Sequence, residues 1–244
     1  MIRGLLVRVA ADQGEGGGRW NGPADSGTRE FVYVAIPDSE AMRAKMSKPY
    51  SGLRPALTAL GTSLPSHLAK QNMHLDPDFD HLTYGDGNER AKQIRSKLKS
   101  GDLLVFYAGL KDVCPSPRLL YAIIGLYVVD EIVPVTSVTR SRWHENAHTR
   151  RADPGVGDIV VRAKPGVSGR LNLCLPIGSY RAPSGQPHRQ QSYRVEPRLL
   201  ATWGGLDITD GWLQRSGRLP EFLDAGKFYR WFRKQSLQLI SRNN

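Results

Sequence analysis

Apolar positions follow two rhythms along this chain. Residues 5–11 and 31–36 are short apolar runs, the second carrying Val32, Tyr33 and Val34, and both predict strands half-buried on a sheet. Leu53, Leu57, Leu60 and Leu64 recur at helical spacing after Ser51. Pro55 fits only a first turn, so this helix starts near it. Residues 88–98 predict the clearest helix: Asn88 caps it, Ala91, Ile94 and Leu98 form one stripe, and Gly101 follows its end. Its other face carries Arg90, Lys92, Arg95, Lys97 and Lys99, first a solvated face and alternatively a phosphate contact. Residues 102–108 and 119–129 are nearly continuous apolar runs, as in central strands covered on both sides or curled into a barrel. Residues 109–118, with Pro115 and Pro117, read as the loop between them. Short strands are expected at 158–163 and 171–175. A last helix, 220–235, places Phe222, Ala225, Tyr229 and Phe232 on one side. The pattern predicts an α+β fold, a curved or closed, largely antiparallel sheet with helices around it. It forms one domain over residues 1–244 with a helical extension from about residue 195.

Composition narrows the class. Of the 244 residues, 40% are hydrophobic and 23% charged, which excludes overall disorder and allows a core without staples. Cys114 and Cys174 match no disulfide or zinc-ligand spacing. Lys and Arg number 34 against 23 acids, a net charge of +11 at pH 7, which argues for a polyanionic partner, DNA or RNA. The longest apolar stretch, 119–129, is too short to span a membrane, and Arg8 interrupts any signal core. A soluble, cytoplasmic protein with no membrane partner is expected.

Residues 74–86, HLDPDFDHLTYGD, hold two histidines and four aspartates in a turn-rich segment. His74, Asp76 and His81 have the donor types of a divalent-metal site. A histidine beside Asp76 or Asp80 suits general acid–base work, and the same polar groups suit a nucleobase edge. The plainer reading makes the aspartates caps of turns and helices, Asp86 ahead of Asn88 among them. No compact metal signature is present, and no cofactor is expected.

Residues 140–151, RSRWHENAHTRR, hold Arg140, Arg142, Arg150, Arg151, two histidines and Trp143. Guanidinium forks suit phosphates, and an indole suits stacking on an unpaired base; the alternative is a solvated basic loop with Trp143 covering the core edge. Phe106 and Tyr107 face opposite sides of one strand. Trp20 and Trp203, each beside glycine and polar residues, are candidates to stack on a ligand. The glycines of residues 13–18 lack the Gly-Lys-Ser/Thr of a phosphate loop, and Gly-x-Ser-x-Gly is absent. NTPase, dehydrogenase and serine-hydrolase chemistries fall away.

The strand pair SGDLLVFYAGL (100–110) and LYAIIGLYVV (120–129) resembles a PUA-like core, the superfamily of PUA, ASCH, EVE and YTH domains. More narrowly, the chain resembles the third nucleotide modification associated domain family. It does so through WNGP (20–23), FVYVAIP (31–37), HLDP (74–77), TYGD (83–86), the strand 101–110 and NAH (146–148), over roughly its first two thirds. The resemblance implies a PUA-like curved antiparallel barrel and work on nucleic acids, with a modified or flipped base held in a cavity beside the barrel. The chain departs from methyl-base readers in lacking three cage tryptophans, and from hydrolytic ASCH enzymes in lacking their Lys, Thr and Glu set.

The leading expectation is a nucleic-acid-binding module linked to nucleotide modification. Trp20, Tyr84, Asp86, Tyr107, Trp143 and Asn146 would border a nucleobase pocket with His148, and Arg140, Arg142, Arg150 and Arg151 would neutralise phosphates. The rival is an enzyme acting on a modified base or phosphodiester, with His74 or His148 as proton carrier and Asp76 as orienter or metal ligand. A purely structural domain would leave His74, Tyr84 and His148 far apart.

Overall fold

The computed structural model describes residues 1–11, 20–114, 119–185, 188–213 and 217–244. The glycine run 13–18 and the prolines Pro115 and Pro117 lie outside the described residues. The chain runs β1 (Gly4–Arg8), β2 (Pro23–Ala24), β3 (Ile36–Pro37), α1 (Arg54–Ala59), β4 (Met73–His74), β5 (Thr83–Asp86), α2 (Asn88–Lys97), β6 (Leu103–Asp112) and β7 (Leu119–Pro134). It continues through α3 (Ala147–Arg150), β8 (Ile159–Ala163), β9 (Gly169–Arg181), β10 (Ser192–Val195), α4 (Pro197–Trp203), α5 (Ala225–Arg233) and β11 (Leu239–Ile240).

The antiparallel pair β6–β7 is the centre of the sheet, running from Leu103↔Val128 to Lys111↔Leu119. Strand β1 lies parallel to β6, and β9 pairs with β7 over Tyr121–Leu126. Past a register shift between Val129 and Glu131, β7 pairs with β8, and β5 lies outside β8. One long strand thus serves two different partners along one edge, and the sheet forks where the irregularity turns it. The expected antiparallel barrel is corrected here. Among the described residues the path β1-β6-β7-β8-β5 stays open, and β1 and β2 run parallel to β6. The fold is α+β with a large mixed sheet.

Both faces of the centre are covered, which explains the unbroken apolar runs. Leu104, Phe106 and Ala108 enter one core with Phe79, Tyr84 and Tyr127, while Leu103, Val105 and Tyr107 enter a second with Trp203, Phe222 and Phe228. Alternation along a strand separates them. The second core is closed by α4, α5 and β11, so the residues after 195 pack into the body of the sheet. Trp203, a stacking candidate in the sequence, is fully enclosed there.

Local expectations change as well: β6 runs on to Asp112 into the expected loop, and the last helix spans Ala225–Arg233 rather than 220–235. Residues 31–35 are buried but form no strand: the Asn244 side chain takes both the N–H and the carbonyl of Tyr33, where a neighbouring strand would bond. Helix α1 ends at Ala59, two residues before Gly61 takes a φ of +64°. Gly87, not Asn88, holds the cap position of α2. Among the described residues no helix is long and apolar enough to cross a membrane.

A pH-sensitive clamp ties β9 to β10. Asp210 pairs with Arg181 at 3.0 Å and Arg194 at 3.2 Å, and accepts the N–H and hydroxyl of Ser184, each at 2.9 Å. Against a burial penalty, these partners hold its carboxyl down at about 2. Because the folded value lies below the unfolded one, the stabilisation is full above the ordinary carboxylate range and fades as pH falls toward the folded value. Asp210→Asn is expected to cost about 1–2 kcal/mol near pH 7, a gap that narrows below about pH 4 in urea titrations.

Candidate active site

Four distant segments build one cleft. Strand β4 pairs with β3 in the register Ile36↔His74, which sets His74 beside Asp38. Strand β5 pairs with β8, and the short helix α3 packs against β5 with its cap Asn146 foremost. Asn146 caps through its Oδ1, which accepts the His148 N–H at 2.9 Å, while its own N–H donates to Thr149 Oγ1 at 3.1 Å. This leaves the Asn146 amide nitrogen free to reach Asp76 Oδ1 at 2.7 Å. The Gly85 N–H donates to the same oxygen at 2.7 Å. One carboxylate oxygen of Asp76 is therefore pinned by two donors.

The other oxygen, Oδ2, faces two imidazoles. His74 Nε2 and His148 Nε2 each lie 3.1 Å from it. Neither N–H lies along the direction a hydrogen bond needs, so this buried oxygen has no well-aligned donor. Each imidazole also has an outer carboxylate: His148 Nδ1 is 2.5 Å from Asp158 Oδ2, and His74 Nδ1 is 3.6 Å from Asp38 Oδ2. Arg151 holds Asp158 in turn at 3.2 Å. The three central side chains are each 9% exposed.

Charge in this cluster follows from competition between burial and partners. Burial opposes a charged His148, but the bond to Asp158 on one ring nitrogen and the Asp76 carboxylate facing the other outweigh that and push it up to about 9. His74 moves the same way for the same reasons, with Asp38 and Asp76 as partners. Burial would raise Asp76, yet His148 and His74 hold it well below the usual carboxylate range. Burial raises Asp86 and Tyr84, although Arg90 beside them opposes it.

The cluster opens onto a cavity of about 150 Å³, lined by Arg8, His74, Asp76, Tyr84, Asp86 and His148 among others. Tyr84 donates to Asp86 Oδ2 at 2.5 Å, and Arg90 pairs with the same carboxylate at 3.1 Å. Of the residues singled out in the sequence, His74, Asp76, His148, Tyr84, Asp86 and Asn146 meet here.

The others do not. His81 turns to Asp78 at 3.3 Å and stacks edge-on with His144, so it is not a third ligand beside His74 and Asp76. Tyr107 points into the second core, on the far face of β6. Trp20 packs on the cluster of Val34, Tyr50 and Leu57. Trp143 donates its indole N–H to the Val138 carbonyl and lies under the Arg43 guanidinium, 3.5 Å from the ring centroid. Arg150 is enclosed and paired with buried Asp78, which removes it from the cations that can meet a phosphate. Arg140 and Arg142 remain at the surface, the latter paired with Glu145 at 2.7 Å.

Asp38 and Asp158 were not legible as site residues, and Arg90 was legible only as one cation of the α2 face. Asp158 precedes β8 in a glycine-rich turn and Asp38 follows β3, places where aspartate is ordinary turn chemistry. Gly85 carries the only local signal, as the glycine of TYGD.

No curated protein and no solved structure matches the chain. A family model, nucleotide modification associated domain 3, matches residues 3–216, a span that includes every residue of the cleft described above. The chain belongs to the nucleotide modification associated domain 3 family.

Proposed function

We propose that the protein is an enzyme of nucleic-acid modification that draws one nucleotide unit into the cavity and performs chemistry at His74, Asp76 and His148. The observation that carries this reading is the convergence of two buried imidazoles on one carboxylate oxygen at the floor of an open cavity. Burying such groups is costly unless their partners compensate, and arrangements of this kind cluster at reacting centres. A cavity built only to read a base needs aromatic faces. Here Trp20, Trp143 and Tyr107 are engaged elsewhere, and the Tyr84 ring leans on Phe106 at 5.4 Å. Chemistry is therefore favoured over recognition alone.

The net charge of +11 and the exposed Arg140 and Arg142 supply the attraction for phosphates. Binding should then fall with salt; two phosphate contacts on a duplex give a log–log slope of about −1.8, roughly twelve-fold over a fourfold rise in salt. Fluorescence anisotropy on DNA and RNA oligonucleotides at several salt concentrations measures this slope. The same oligonucleotides, incubated with the protein and digested, are assayed for altered nucleosides by mass spectrometry. Product from the wild-type chain, lost in His148→Ala with binding retained, is the expected result. Tight, salt-sensitive binding with no product would make the cavity a reader instead.

A further inference from the structure

We propose that His74, Asp76 and His148 form a binding site for one divalent first-row transition ion, of the zinc or ferrous class, with open positions facing the cavity. The proposal builds on the reading of this cavity as catalytic, but its test is separate.

Three features of the geometry point to an ion. Ligands about 2.0–2.1 Å from a common metal, at angles of 90–110°, stand about 2.9–3.4 Å apart. Asp76 Oδ2 lies 3.1 Å from both Nε2 atoms, inside that range, and all three ligand atoms lie within 4.8 Å of one another.

The orphan oxygen is the second feature. Asp76 Oδ2 is buried and aimed between the imidazoles, yet no hydrogen bond of good alignment reaches it. Leaving a buried acceptor unmade is expensive. A network evolved only for hydrogen bonding would aim one N–H at this oxygen, whereas a shared cation needs the lone pairs of all three groups turned to a common point.

The third feature is the outer shell. A metal-bound histidine commonly gives its other ring N–H to a carboxylate or carbonyl, which fixes the ring and raises its basicity. His148 has that arrangement with Asp158 at 2.5 Å, and Asp38 stands on the same side of His74 at 3.6 Å, beyond hydrogen-bond distance. Asp76 is held equally firmly through its second oxygen by Gly85 and Asn146. Once the two imidazoles give up their ring protons to an ion, the three carboxylates Asp38, Asp76 and Asp158 around them leave a negative site that a dication balances, with Arg151 tempering the excess at Asp158.

The donor set selects the ion. Two imidazoles and one carboxylate suit zinc, ferrous iron and cobalt, whereas magnesium and calcium prefer all-oxygen cages. Three protein ligands beside a cavity of about 150 Å³ mark a site with room for water or substrate rather than a closed structural one.

The test uses the full chain, stripped with chelator and titrated with Zn²⁺, Co²⁺, and Fe²⁺ under anaerobic conditions, followed by calorimetry and elemental analysis. One ion per chain at micromolar affinity or tighter is expected, with visible Co²⁺ absorption bands and no displacement by Mg²⁺. His74→Ala and Asp76→Asn should abolish binding while far-ultraviolet circular dichroism is unchanged. Should a ligand variant fail to fold, Asp158→Asn carries the test, since it keeps all three ligands and should weaken binding about 10–100-fold. Absence of a bound ion in the wild type, equal binding in Asp76→Asn, or displacement by Mg²⁺ would overturn the proposal. Ion binding without turnover of nucleic acid would keep this site and overturn only the enzymatic reading, whereas turnover by a chain that binds no ion would do the reverse.

Discussion

Arg150→Met is expected to cost about 3–5 kcal/mol of folding stability. Arg150 is 2% exposed and its guanidinium pairs with Asp78, which is fully buried. Its Nε and one terminal nitrogen also donate to the His144 carbonyl, at 2.9 and 2.7 Å. Asp78 keeps three lesser partners without it, His81 at 3.3 Å, the Asn243 amide at 3.1 Å and the Asp80 N–H at 3.1 Å. Methionine fills much of the volume but leaves a buried carboxylate with no full positive charge. Removing one member of such a pair is far costlier than the net worth of the pair itself. Against a typical domain stability of about 5–15 kcal/mol the loss is large, and a urea titration reads it as a drop in midpoint. Lys92→Met, which breaks an exposed pair with Glu89, is the control and should stay within about 0.5 kcal/mol. If Arg150→Met instead weakened nucleic-acid binding at unchanged stability, the phosphate role expected from the sequence would be restored.

Gly85→Ala is expected to lower product formation about 100-fold or more while costing about 1–3 kcal/mol of stability. A Cβ at this position would lie 2.5 Å from His148 Cδ2, and closer still to Asn146 Oδ1. Neither neighbour yields easily, because Asn146 is fixed by its cap and its bond to Asp76, and His148 by Asp158. The methyl group must therefore push α3 off β5, and the imidazole leaves Asp76 Oδ2. Displacement of a reacting group by about 1 Å is enough for a loss of that size. Gly52→Ala, at a position with open space around it, should leave both stability and turnover unchanged. Mass spectrometry of digested oligonucleotides and urea midpoints, measured on the same preparations, separate the two effects. Full turnover in Gly85→Ala would show that the His148–Asp76 contact is dispensable.

The two predictions separate a folding role from a chemical one within a single stretch of sequence. Arg150 and His148 lie two residues apart on α3, but one faces the buried Asp78 and the other the cavity. Their charge and spacing look alike in the sequence; their neighbours do not.

Local periodicity determined the central elements. The apolar runs that became β6 and β7 and the striped helix α2 are set by side-chain alternation and helical spacing, properties of neighbours in the chain. Family membership was legible for a similar reason, because WNGP, HLDP, TYGD and NAH are short words that need no folding to be read. Tertiary structure alone decided the rest. Among the described residues the sheet stays open because β7 changes partner at its irregularity, and pairing between distant strands is not written in either strand. The choice of His148 over His81 beside His74 was likewise decided by packing. His81 is nearer in sequence, but β5 returns the chain so that α3 delivers His148 across Gly85, while His81 is carried off to Asp78. Burial made the same division among the arginines and tryptophans. Residue type fixes what a side chain is able to do, and only the assembled neighbours fix its solvent, its charge and its partner.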